Sequence, residues 1–81
     1  MRKIFYNDVA TRIIMSINKP KNISRITKDA KSTYAHVVNV IQILEEKKLL
    51  IRNKIGREAI VELTEKGIHL RQLLMEIQTL T

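Results

Sequence analysis

The chain has 81 residues, 44% of them hydrophobic and 28% charged, with no cysteine. This composition suits one folded domain and excludes disorder or a fibrous repeat, and a second compact core has no room. Fifteen Lys and Arg against eight Asp and Glu give a net charge of +7, a balance that favours polyanionic partners such as nucleic acid or an acidic membrane surface.

The charge is unevenly placed. Residues 1–44 hold eight basic groups (Arg2, Lys3, Arg12, Lys19, Lys21, Arg25, Lys28, Lys31) and two acidic ones (Asp8, Asp29), a net of +6, whereas residues 45–81 hold seven basic and six acidic groups, a net of +1. Without cysteine there is no disulfide framework, thiolate metal site or redox switch, and a reducing cytoplasm is the expected home. No uninterrupted apolar run exceeds three residues, so a transmembrane helix is not expected. Asp8 and Arg12 interrupt what would otherwise pass for a signal peptide, so the protein is expected to be soluble and unexported.

From Phe5 to Ile17 the apolar residues Phe5, Val9, Ile13 and Ile17 fall every four positions, with Ala10 and Ile14 beside them, which predicts an amphipathic helix that Asn7 could cap. Asn18-Lys19-Pro20 ends it, because proline lacks a backbone N–H and pushes the preceding residue out of helical geometry. A short extended piece through Ile23 follows. Ser24 then serves as N-cap of a second, short helix carrying Ile26 and Ala30 inward, with Arg25, Lys28 and Asp29 outward. After a tight Lys31-Ser32 turn, a third helix starts with Ser32 or Thr33 as cap and runs to about Glu46. Its inward stripe is Val37, Val40, Ile41 and Leu44.

Leu49 to Arg52 reads as a strand, Asn53 to Arg57 as a polar loop containing Gly56, and Glu58 to Leu63 as a second strand that alternates polar and apolar residues. Thr64, followed by Glu65, caps a last helix whose apolar residues are Ile68, Leu70, Leu73, Leu74, Ile77 and Leu80. The fold class is therefore mainly α with a small β hairpin, in the order α-α-α-β-β-α, with a short strand near Ile23.

Two helices joined by a short turn and followed by a two-stranded hairpin resemble the winged helix-turn-helix fold of transcription regulators, in particular the small MarR-, ArsR- and PadR-like groups. Tyr34 through Leu50 looks like the recognition helix of these proteins running into their "L-E-E-K-G-L-I" string. Leu63-Thr64-Glu65-Lys66-Gly67 matches the "L-T-E-K-G" that leaves the wing for the last helix. The likeness covers roughly residues 5–80, as one domain spanning 1–81. Lys48 stands where the family usually has a left-handed glycine, so the helix must end otherwise or accept a cost of about 1 kcal/mol. The turn between the second and third helices also lacks its usual glycine.

The resemblance implies a sequence-specific binder of double-stranded DNA, with the third helix in the major groove and the second crossing the backbone. The residues then turned to the bases are Ser32, Thr33, Tyr34, Ala35, His36, Val38 and Asn39; Asn39 suits adenine, and Val38 or Ala35 a thymine methyl. Lys19, Lys21, Arg25, Lys28 and Lys31 cluster just before that helix, where phosphates would pass. In the hairpin, Arg52, Lys54 and Arg57 flank Gly56, and a guanidinium at such a tip can enter a narrow minor groove.

The last helix exposes more Leu and Ile than a small core could cover. Phe5, Val9, Ile68, Leu70, Leu73, Leu74, Ile77 and Leu80 are therefore expected at a homodimer interface formed by the first and last helices, which predicts a pseudo-palindromic DNA site. A repressor acting by promoter occlusion is the simplest mechanism, and no cofactor is expected. His36 and His69 stand 33 residues apart with no cysteine beside them, no nucleophile motif or phosphate loop is present, and neither a metal site nor catalysis is expected. The alternative is a winged-helix module that binds other proteins within a larger assembly.

Overall fold

The computed structural model describes residues 9–80. Helix α1, Val9–Ser16, turns Ile13 and Ile14 inward, and Ile17 follows it into the same core. The chain leaves the helix through Asn18-Lys19-Pro20 and enters a two-residue strand, β1, Lys21–Asn22. The expected positions Phe5 and Asn7 lie outside the described residues.

Helix α2 spans Ile23–Ala30, and its N-cap is Asn22 rather than the expected Ser24. The Asn22 side chain accepts a hydrogen bond from the Arg25 N–H at 2.8 Å. The physical reason is Ile23, only 6% exposed: its side chain is needed in the core, so the first helical turn begins there and the cap falls on the extended residue before it. The helix ends at Lys31, whose φ of 54° is left-handed, with the Lys31 N–H on the Lys28 carbonyl and the Ser32 N–H on the Thr27 carbonyl.

Helix α3, Tyr34–Glu46, is capped by Thr33, whose hydroxyl accepts from the His36 N–H at 3.3 Å. Val37, Ile41 and Leu44 are buried on its inner face, and Val40 is half-buried beside them. Its carboxyl end also turns through a left-handed lysine, Lys48, at φ 66°, after which the Leu49 N–H returns to the Leu44 carbonyl at 3.0 Å. Both junctions therefore keep the left-handed geometry usually given to glycine and place lysine in it, at a cost of roughly 1 kcal/mol each.

Strands β2, Leu50–Ile55, and β3, Glu58–Leu63, pair antiparallel from Leu50↔Leu63 to Ile55↔Glu58. The expected five-residue loop from Asn53 to Arg57 is thus only Gly56-Arg57, because the ladder continues through Asn53, Lys54 and Ile55. Gly56 takes the positive φ of 64° that so tight a connection demands. Strand β1 adds to the other side of β3 through Lys21↔Val61 and Asn22↔Ile60, giving a three-stranded sheet in the order β1-β3-β2.

The last helix, α4, spans Glu65–Leu80 and is capped by Thr64, whose hydroxyl accepts from the Gly67 N–H and donates to the Lys48 carbonyl at 2.6 Å. All four helices and the two longer strands contribute to one core: Ile13 and Ile14 from α1, Ile23 and Ile26 from α2, Val37 and Ile41 from α3, Leu50 from β2, Val61 from β3 and Leu74 from α4. Two arginines brace it from outside. Arg12 Nε donates to the Ala30 carbonyl at the end of α2, and Arg71 Nε donates from α4 to the Met15 carbonyl.

Gly67 is buried with the Leu49 carbonyl directly above its Cα, so a methyl group there has no room. Gly67→Ala is expected to cost about 2–3 kcal/mol, whereas Lys48→Gly, which relieves a left-handed lysine, is expected to gain about 0.5–1 kcal/mol. Paired urea denaturation curves check both signs.

Candidate nucleic-acid interface

Helices α2 and α3 and the left-handed corner at Lys31 form the helix-turn-helix, and the β2–β3 hairpin forms the wing beside it. With Val37, Ile41 and Leu44 fixed inward, helical periodicity turns Ala35, His36, Asn39, Gln42, Ile43 and Glu46 outward, and all six are exposed. Tyr34 is exposed at the amino end.

The sequence-derived set differs from this face in both directions. Tyr34, Ala35, His36 and Asn39 stand on or beside it. Val38 does not: it is half-buried and packs against the core, since at 100° per residue it falls on the flank between the inward stripe and the outer face, the flank that also carries Glu45 toward Arg52 of β2. Ser32 is half-buried, its N–H held by Thr27, and the Thr33 hydroxyl is occupied as the N-cap. Gln42 and Ile43, the latter 50% exposed, were not anticipated. Their spacing of three and four residues from Asn39 is the signal that would have found them.

Exposed cations stand on both elements next to this face, α2 and the wing. Arg25, with 69% of its side chain exposed, Lys28 and Lys31 lie on and just after α2. Lys54 and Arg57 are exposed on the wing. The wing turn returns close to the amino end of α3, so that Arg57 and Tyr34 line one recess together with Asn22, Ser24 and Glu58. Arg52, expected to face DNA as well, is instead half-buried on the inner side of β2, and both its Nε and Nη2 donate to Glu45 Oε1 of α3, at 3.1 and 2.9 Å. It fastens the wing to the helix.

One carboxylate sits within the basic cluster. Asp29 accepts from Lys21 Nζ at 2.9 Å and lies 3.8 Å from Arg25 Nε. The hydrogen bond from Lys21, ahead of the charges of Lys21 and Arg25, holds its pKa below the ordinary aspartate value despite some desolvation. A depressed folded-state pKa means that any stability from this cluster is complete above the ordinary aspartate value and is lost as pH falls through the lower one, so Asp29 stays charged throughout the neutral range. Among the described residues no three His, Asp or Glu side chains are placed to hold a metal ion, and no helix is long and apolar enough to cross a membrane.

On α4, Ile68, Leu73, Ile77 and Leu80 are exposed, as is Met75, which the sequence reading did not single out. Leu74, expected at a subunit interface, belongs to the chain's own core at 8% exposure, because α4 packs against α1 and β3. Leu70 and Val9 are half-buried against that core.

This arrangement is a winged helix-turn-helix, the fold of a large class of DNA-binding regulators. Among solved structures, AF1382 of Archaeoglobus fulgidus superposes with a TM-score of 0.87 at 25% identity, over 98% of this chain and 96% of that one. The MarR family transcriptional regulator SPO1453 of Silicibacter pomeroyi matches at 0.80 and 19% identity, over 88% of this chain and 53% of its own length. Sso10a-2, a DNA-binding protein of Sulfolobus solfataricus, matches at 0.79 and 20% identity, over 99% and 81%. No family model and no curated protein matches the sequence.

Since Arg52 and Glu45 are each about one-third exposed, their pairing is expected to contribute about 0.5–1 kcal/mol. A double-mutant cycle of Arg52→Ala and Glu45→Ala, read by thermal unfolding, should return that coupling, whereas Arg57→Ala should leave stability unchanged.

Proposed function

We propose that the chain is a sequence-specific double-stranded DNA-binding protein that acts as a homodimeric transcriptional regulator, repressing by occlusion of a promoter. The observation that supports this reading is the exposed outer face of α3 with exposed Arg25, Lys28 and Lys31 on and just after α2 and exposed Lys54 and Arg57 on the wing beside it. Such a layout lets cations on both flanks hold phosphates while the helix between them meets base edges in the major groove. The whole chain acts as one domain, in the cytoplasm, and the role calls on neither catalysis nor a cofactor.

The dimer forms through α4. Leu70, Leu73, Ile77 and Leu80 follow one another at intervals of three, four and three residues, the spacing of the seam between two paired helices. Ile68 and Met75, a heptad apart, fall on the opposite flank and lie outside this seam. Two such chains present two recognition helices about 34–36 Å apart to a pseudo-palindromic site.

A labelled random duplex of about 30 bp, titrated from about 50 to 200 mM salt, is expected to bind at the lowest salt and to lose affinity steeply. Arg57→Ala should reduce the slope by about one ion, and Asp29→Asn, which releases Lys21 and Arg25, should steepen it. Absence of binding at the lowest salt overturns the proposal and points to a protein-interaction module. Sedimentation equilibrium should find a dimer that Leu73→Lys and Ile77→Lys together convert to a folded monomer.

A further inference from the structure

Helix α3 contains no lysine or arginine in any of its 13 residues, YAHVVNVIQILEE, although the chain as a whole is strongly basic. That omission bears on which bases the helix can read. In the major groove a guanine offers two acceptors, O6 and N7, and its usual reader is an arginine or lysine that donates to both. An adenine offers N7 as acceptor and its N6 amino group as donor, which matches the paired acceptor and donor of a side-chain amide. The outer face of α3 presents two such amides, Asn39 and Gln42, within one turn of each other, and both are exposed.

The apolar members of that face point the same way. Ile43 is half exposed with no core to fill, and Ala35 lies two turns earlier on the same side. Apolar side chains at a base edge contact the thymine methyl, a group that only A·T pairs among the unmodified pairs present in the major groove. From Ala35 to Ile43 the helix rises about 12 Å, enough to follow three to four base pairs. Beyond it, Glu46 presents a carboxylate on the same face and is repelled by phosphates, so the helix enters the groove as far as Ile43 and its carboxyl end beyond that residue stays clear. Glu45 is turned away and held by Arg52.

We infer that α3 reads A·T base pairs in the major groove, with Asn39 and Gln42 pairing to adenine and Ile43 and Ala35 meeting thymine methyls. This rests on the DNA-binding reading above and adds to it the class of site recognised. The cations on either flank position the helix without discriminating among bases.

The test compares three duplexes of about 30 bp by fluorescence anisotropy at about 150 mM salt: a mixed A·T sequence, its G·C counterpart and an inosine·cytosine version. Inosine shows the major groove the O6 and N7 of guanine but lacks the minor-groove amino group, so it separates the two grooves. The wild-type chain is expected to bind the A·T duplex about tenfold or more tightly than either of the others. Asn39→Ala and Gln42→Ala should each shrink that preference by about tenfold. Uracil in place of thymine should weaken binding severalfold for wild type and distinctly less for Ile43→Ala, which keeps only the Ala35 contact. Equal, salt-dependent binding to all three duplexes overturns base reading by α3 and leaves DNA binding standing. Inosine·cytosine bound as tightly as A·T overturns it in favour of the wing in the minor groove. No binding to any duplex down to about 50 mM salt removes both.

Discussion

The position of α3 relative to everything around it depends on one corner of backbone. At Lys48 the chain turns left-handed, and Lys48 and Leu49 make three hydrogen bonds to two elements: the Leu49 N–H to the end of α3, and the Leu49 and Lys48 carbonyls to the N–H and hydroxyl of Thr64, the cap of α4. Buried Gly67 lets α4 approach until its backbone touches the Leu49 carbonyl. Buried amides and carbonyls must find partners, and here they find them in each other. The exit of α3, the start of β2 and the start of α4 therefore meet in one hydrogen-bonded junction.

The division of labour among cations follows from the same economy of partners. Arg12 and Arg71 spend their guanidinium groups on backbone carbonyls, Arg52 on Glu45, and Lys21 on Asp29. Net charge alone does not separate these from Arg25, Lys28, Lys31, Lys54 and Arg57, which face solvent around α3. Part of the positive charge thus has a structural use, and fewer cations stand free around α3 than the composition implies.

Much of this was legible in the sequence where periodicity and capping chemistry are strong. The inward residues Ile13, Ile17, Val37, Ile41 and Leu44 and the Thr64 cap could be read from spacing alone. What escaped depends on contacts between distant segments. Asn22 displaced Ser24 as a cap because Ile23 was needed inside, and Arg52 looked like an exposed wing cation because its partner, Glu45, lies across a turn. The hairpin loop was drawn too long because polar residues in Asn53-Lys54 suggest a turn, while the ladder shows them paired with Ile60 and Ala59. On α3 the spacing beyond Asn39 also turns Gln42 and Ile43 outward, while Val38, which an apolar count puts opposite the core stripe, lies on the flank and is half-buried. On α4 an apolar count could not separate Leu74, inside, from Leu73 and Ile77, outside.

Strand β2 lies at the margin of the sheet, and among the described residues nothing pairs with its outer side. Its outer face also carries Ile51 and Ile55, both exposed. A six-residue strand with a free row of N–H and C=O groups and two isoleucines is a template on which another chain can grow a sheet. Lys54, between Asn53 and Ile55, is the charge that makes such growth unfavourable, and the two-residue turn limits the strand's reach. The wing is thus under a constraint unrelated to what it binds: exchanging Lys54 for an uncharged β-former removes the guard against self-association, so at this position the charge of the wing and the protection of its edge cannot be altered independently.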